Sequence, residues 1–174
     1  MKAHRINKQI GFSLVELVMY SALLSILVVV ITNVIVMLYN ANAVVKATRN
    51  VENSAITATD KLIREIRAAS SVDLVNSSLN NDNGILKLNI SDSSGSRTSR
   101  FYIQNNRIMI DDNDVQTGPL TISDTIVSSL RFYYLATTTS KAVKFEMTLV
   151  GPPSTPGISE KYYGTTVLRG SYVQ

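Results

Sequence analysis

Side chains able to do chemistry are grouped in a few places in this sequence. Asp111-Asp112-Asn113-Asp114 sets three carboxylates and an amide together, hard oxygen ligands that could wrap Ca²⁺. The run lacks the alternating acids, glycine and distal Glu of an EF-hand loop. A solvated loop between strands is the simpler reading of Asp111, Asp112 and Asp114. Arg97, Arg100, Arg107 and Arg131 stand near Phe101, Tyr102, Tyr133 and Tyr134, a mixture that a nucleic-acid face would use. Strand alternation scatters these groups over both faces, which argues against a nucleic-acid partner. Asn80-Asn81-Asp82-Asn83-Gly84 and Ser91-Asp92-Ser93-Ser94-Gly95 are turn chemistry. Glu16 is different in kind: a lone carboxylate at the head of a long apolar run.

Other reagents are missing. The chain has no Cys, which removes disulfides, thiolate metal sites and Cys nucleophiles. Its one His, His4, leaves no His-based triad or multi-His centre. No Ser sits in G-x-S-x-G, and no glycine loop cradles phosphate. The sequence therefore predicts neither an enzyme nor a bound cofactor. With 45% hydrophobic and 17% charged residues, a disordered polyelectrolyte is excluded.

The net charge of +4 belongs to the N-terminus. Lys2, Arg5 and Lys8 lie in the first ten residues, and removing those three from 17 leaves 14 basic against 13 acidic side chains. A nearly neutral remainder weakens the case for a polyanion partner.

From Leu17 to Val45 no residue is charged. A bilayer core takes roughly 20 apolar residues at about 1.5 Å each, so this run is long enough to cross one. The basic residues before it predict a cytoplasmic N-terminus and an extracytoplasmic C-terminal part. A cleaved secretory signal is the rival, since Ala41-Asn42-Ala43 has the small-x-small form of a signal peptidase site. The run is too long for an ordinary h-region, however. A carboxylate near the bilayer middle costs roughly 2.5–3.5 kcal/mol, a penalty that a discarded signal has no reason to carry.

Lys8-Gln9-Ile10-Gly11-Phe12-Ser13-Leu14-Val15-Glu16-Leu17 resembles the class III signal peptide of type IV pilins and type II secretion pseudopilins. The resemblance implies cleavage by a prepilin peptidase after Gly11, N-methylation of the new terminal Phe12, and Glu16 at mature position five. Physical chemistry agrees. Gly11 offers a cleft bare extended backbone. Cleavage would leave the Phe12 ammonium in or beside lipid, where Glu16 of an adjoining subunit can pair with it. A desolvated charge is tolerated when paired, so the pair would set the axial offset between subunits. Major pilins commonly carry Pro at mature position 22; here that position is Asn33, a departure that suits a minor subunit better.

No Gly or Pro occurs between Phe12 and Asn83, which permits one unbroken helix well past the membrane. Beyond Asn42 the apolar stripe Val44/Val45, Thr48, Val51, Ala55/Ile56, Thr59, Leu62/Ile63, Ile66, Ala69 recurs every three to four residues. Between these positions lie charges, Glu65 among them. The helix is predicted to end near Ala69–Ser71.

From Asp73 onward the pattern is β. Leu86, Leu88 and Ile90 alternate with polar neighbours, and Asn105-Asn106 marks a two-residue hairpin turn between the runs holding Phe101 and Ile108. Ile126–Leu135 and the Val143, Phe145, Met147, Leu149 series follow, then a stiff Pro152–Gly157 loop and a last strand over Thr165–Tyr172. Short polar connections predict an antiparallel meander.

The expected fold is α+β, a long N-terminal helix packed on an antiparallel β-sheet, similar to pilins. The expected parts are a leader (1–11), a transmembrane half-helix (12–41), an amphipathic half-helix (42–71) and an extracytoplasmic β-rich domain (72–174). Leu62–Ala69 and Thr165–Arg169 are similar to J-type minor pseudopilins and W-type minor pilins. That resemblance implies a structural subunit near a filament tip, anchored in the bacterial inner membrane. The implied partners are prepilin peptidase, other minor and major pilins or pseudopilins, the inner-membrane assembly platform and the lipid bilayer. The alternative is a β-rich binding module, either anchored by one uncleaved span or released by signal peptidase.

Overall fold

The computed structural model describes residues 13–92, 95–155 and 157–169, apart from the Asp92 side chain. Gly11, Phe12 and the leader lie outside the described residues. The order is one helix, α1 (Leu14–Ala68), then β1 (Ser71–Val72), β2 (Leu86–Asp92), β3 (Gly95–Gln104), β4 (Arg107–Asp112), β5 (Val115–Pro119), β6 (Ile126–Ala136), β7 (Lys141–Val150) and β8 (Ser159–Val167). This is an α+β layout of one long, N-terminally apolar helix and two antiparallel sheets. The chain divides between Asn42 and Ala43 into two compact units.

Ser13 opens α1, its carbonyl accepting the first helical bond from Leu17 N at 3.1 Å. Glu16 in the first turn and Arg67 in the last both suit the helix dipole. The helix stops where Ala69 N reaches the carbonyls of Glu65 and Ile66, at 3.0 and 3.2 Å. Ser70 N then bonds to Asn89 O at 2.8 Å, which hands the chain to the sheet.

Within the second unit the buried helix face is Ala47, Val51, Ser54, Ala55, Ala58, Leu62, Glu65 and Ile66, with Ala69 just beyond. The stripe read from sequence is right at Val51, Ala55, Leu62, Ile66 and Ala69. It is wrong at Val44, Val45 and Ile56, which are exposed. The true face is rotated toward small residues, Ala47, Ser54 and Ala58 being buried in place of the larger neighbours.

The expected single sheet is two. β1 to β5 form one in sequence order, and β6, β7 and β8 form the other. Residues 80–84 run between them along β6: Asn80 N bonds to Phe132 O (2.9 Å), Gly84 N to Leu130 O (2.8 Å) and Leu130 N to Asp82 O (2.7 Å). A Cβ at position 84 would stand 2.6 Å from Leu130 O, so only glycine fits there.

Alternation was legible where one face is buried. Leu86, Leu88, Ile90 and Phe101 are fully buried, as are Val143, Phe145 and Leu149. Asn105 and Asn106 carry φ of 52° and 58° and link Gln104 to Arg107, a type I′ turn at the expected place. In β6 the register shifts between Val127 and Ser129, so Val127 and Leu130, three apart, both face the core. The last strand begins at Ser159 rather than Thr165 and ends at Val167, and residues 170–172 lie outside the described residues. Gly164 within it lies against the Phe145 ring.

Candidate functional site

The segment singled out by sequence is a bare hydrocarbon surface. Every large apolar side chain from Leu14 to Tyr39 is exposed, between 49% at Ile31 and 80% at Leu14. Fully burying one such side chain is worth about 1.5–3 kcal/mol, so 20 of them facing water forfeit tens of kcal/mol. α1 is long and apolar enough to cross a membrane. Three hydroxyls of its apolar run are satisfied within the helix: Ser21 donates to Val18 O (2.9 Å), Ser25 to Ser21 O (2.8 Å) and Thr32 to Val28 O (2.9 Å). Such bonding removes most of the penalty for polar groups in lipid.

Glu16 is half-buried, with the Tyr20 hydroxyl donating to its Oε1 at 3.1 Å, one turn along. The Tyr20 bond meets one acceptor position of a group that has about four, so the carboxylate keeps capacity for a further donor. Gly11 and Phe12, the other residues of the sequence motif, lie outside the described residues.

The acidic run does not act as one group. Asp111 and Asp112 belong to β4, and Asn113 and Asp114 form a turn with φ of 52° and 61° into β5, a strand the sequence reading missed. Asp111 accepts from the Tyr102 hydroxyl at 3.0 Å and lies 3.9 Å from Arg100. Asp112 faces Arg97 at 3.4 Å, and Asp114 takes Lys87 Nζ at 2.8 Å. Among the described residues no three His, Cys, Asp or Glu side chains come together as metal ligands.

The arginines are likewise occupied. Arg131 pairs with Asp82 at 2.6 Å, and Arg107 Nε donates to Thr121 O at 3.0 Å. Arg97 reaches across to α1, where its Nη1 lies 2.8 Å from Glu65 Oε2, while Lys61 Nζ donates to Glu65 Oε1 at 2.6 Å. Burial pushes the Glu65 carboxyl up, but Lys61 and Arg97 outweigh it and the net shift is down. Sequence reading had placed Glu65 on the wet face. Its 3% exposure corrects that, because Arg97, 32 residues away, brings the counter-charge.

A second polar link joins the helix to the loop before β6. Ser54 Oγ donates to Thr125 Oγ1 and accepts from Ile122 N, both at 3.2 Å. No sequence pattern announced it. No protein-family model, characterised protein or solved structure matches the chain.

Proposed function

We propose that the chain is a minor pilin or pseudopilin, a membrane-anchored structural subunit of a type IV pilus or type II secretion pseudopilus. Prepilin peptidase cuts after Gly11, Phe12 becomes the methylated N-terminus, and the apolar half of α1 holds the subunit in the inner membrane until the assembly platform draws it into a filament, near the tip. The long helix with two antiparallel sheets behind it is consistent with a pilin-like fold.

One observation carries the reading most directly. The exposed apolar surface of α1 is interrupted by a single carboxylate, Glu16, five residues into the chain that cleavage would leave. A lone acid there is costly unless a cation meets it, and a neighbouring subunit's new ammonium at Phe12 is the cation that processing creates. The work is assembly, not catalysis.

Glu16→Ala tests this. Membrane insertion should be unchanged, since the substitution only raises apolarity, while incorporation into filaments should fall about tenfold or more. Incorporation equal to the parent's would show that the carboxylate sets no registry.

A further inference from the structure

The arginines of the β-strands are matched by acceptors, as described for Arg97, Arg100, Arg107 and Arg131. Three others converge without one. Arg64 and Arg67 lie in the last two turns of α1, and Arg169 follows β8. All three are exposed, and their guanidinium groups have no partner among the described residues. They line one cleft of about 490 Å³, within the size range of small-molecule sites. Its helical wall is Asp60, Ile63, Arg64, Arg67 and Ala68, spaced as one face of a helix, and Arg169 joins them from the end of β8.

Three guanidiniums against the Asp60 carboxylate leave two positive charges in excess. Neighbouring groups do not cancel them. Glu65, next to Arg64 in sequence, is buried and held by Lys61 and Arg97. The carbonyl end of a helix works against an anion, but Ala69 N already occupies the carbonyls of Glu65 and Ile66. The strand whose carbonyl takes Leu168 N contributes Lys141, a base and not an acid.

A second cleft, of about 400 Å³, shares Arg67 and Arg169 and runs along Thr165 and Thr166 of β8. Thr166 is only 5% exposed, and its hydroxyl has no hydrogen-bond partner among the described residues. Buried polar groups are nearly always bonded. An unmatched hydroxyl beside two unmatched guanidiniums is a donor set that a ligand would complete.

We propose that this cleft binds a phosphate monoester carried on a small polyol. A phosphoryl group brings roughly −1.5 to −2 charges at pH 7 and three strong acceptor oxygens. That matches both the excess charge and the three guanidinium forks. A carboxylate, with one charge and two oxygens, leaves an arginine unanswered. Asp60 narrows the choice further. Its carboxylate only accepts hydrogen bonds and repels a bare phosphate, whereas a polyol hydroxyl donates to it. Ile63 and Ala68 give the carbon chain an apolar wall.

Calorimetric titration tests this with the full-length chain in a polyoxyethylene detergent, free of phosphate and sugar, at about 0.15 M chloride. Glycerol 3-phosphate should bind saturably, one per chain, with Kd at or below about 1 mM. Glycerol alone should give no binding, and inorganic phosphate should bind at least about fivefold more weakly. Arg67→Gln with Arg169→Gln should weaken glycerol 3-phosphate at least about tenfold, while Arg49→Gln, outside the cleft, should leave it unchanged. Asp60→Asn should strengthen inorganic phosphate and narrow its gap to the ester. No saturable binding of the ester, an affinity indifferent to the paired substitution, or an equal loss in Arg49→Gln each overturns the site. Inorganic phosphate bound by the parent as tightly as the ester overturns the polyol assignment. Binding requires no cut at Gly11, so an uncut chain that binds leaves the site standing while the pilin reading falls.

Discussion

The Nη1 of Arg97, in β3, lies 2.8 Å from Oε2 of Glu65, a buried carboxylate three residues before the end of α1. Lys61 holds the other carboxylate oxygen at 2.6 Å, and Asp112 of β4 stands 3.4 Å from the same guanidinium nitrogen. Four residues thus tie the helix to two adjacent strands where the helical backbone gives way to the sheet.

Breaking this group from the strand side strands a buried charge. Arg97→Met should destabilise the folded chain by about 1–3 kcal/mol, less than for a fully buried pair because Arg97 and Lys61 are partly wet. Glu65 has its pKa lowered by folding, so its contribution is present above the ordinary carboxyl value of 4.5 and is lost as pH falls through the lower folded value. Chemical denaturation of the parent and Glu65→Gln should differ at pH 7, begin to converge near pH 4.5 and meet only once pH has fallen through the lower folded value. A difference that stays constant across that range would contradict the assignment.

Gly164 is a packing requirement. A Cβ there would stand 2.5 Å from Phe145 Cζ, inside any tolerable contact. Gly164→Ala should cost about 1–3 kcal/mol by thermal denaturation. Phe145→Leu in the same chain should make the added methyl markedly less harmful, and strict additivity of the two changes would count against the contact.

The Asn105-Asn106 turn holds two non-glycine residues at positive φ. Asn106→Gly should stabilise by about 0.5–1 kcal/mol, and Asn106→Val should destabilise by about 1–2 kcal/mol, since a β-branched side chain resists the left-handed region. Equal midpoints for the two variants would mean that the turn is not type I′.

How far the sequence could be read depended on how local the cause was. The Asn-Asn turn and the Val143–Leu149 alternation rest on neighbouring residues, and both stand in the structure as expected. β5 did not announce itself, because Val115-Gln116-Thr117-Gly118-Pro119 has no apolar alternation and is an exposed edge held by pairing with β4. The pairing of residues 80–84 along β6, some 50 residues away, is long-range and no local pattern encodes it. Burial of Glu65 has the same origin, for a carboxylate at a core-facing helical position reads as wet until its distant partner is known. Arg64 and Arg67 read as the polar side of an amphipathic helix, and nothing local places Arg169 beside them in one cleft.

The proposal that an adjoining subunit's ammonium answers Glu16 stands or falls at the N-terminus. Intact mass and terminal sequencing of the chain isolated from its native membrane should find it beginning at methylated Phe12. A Gly11→Trp variant should remain as precursor, because a bulky side chain blocks the cleft that glycine leaves open. A native chain that still begins at Met1, or one that begins at Val44, would contradict the account.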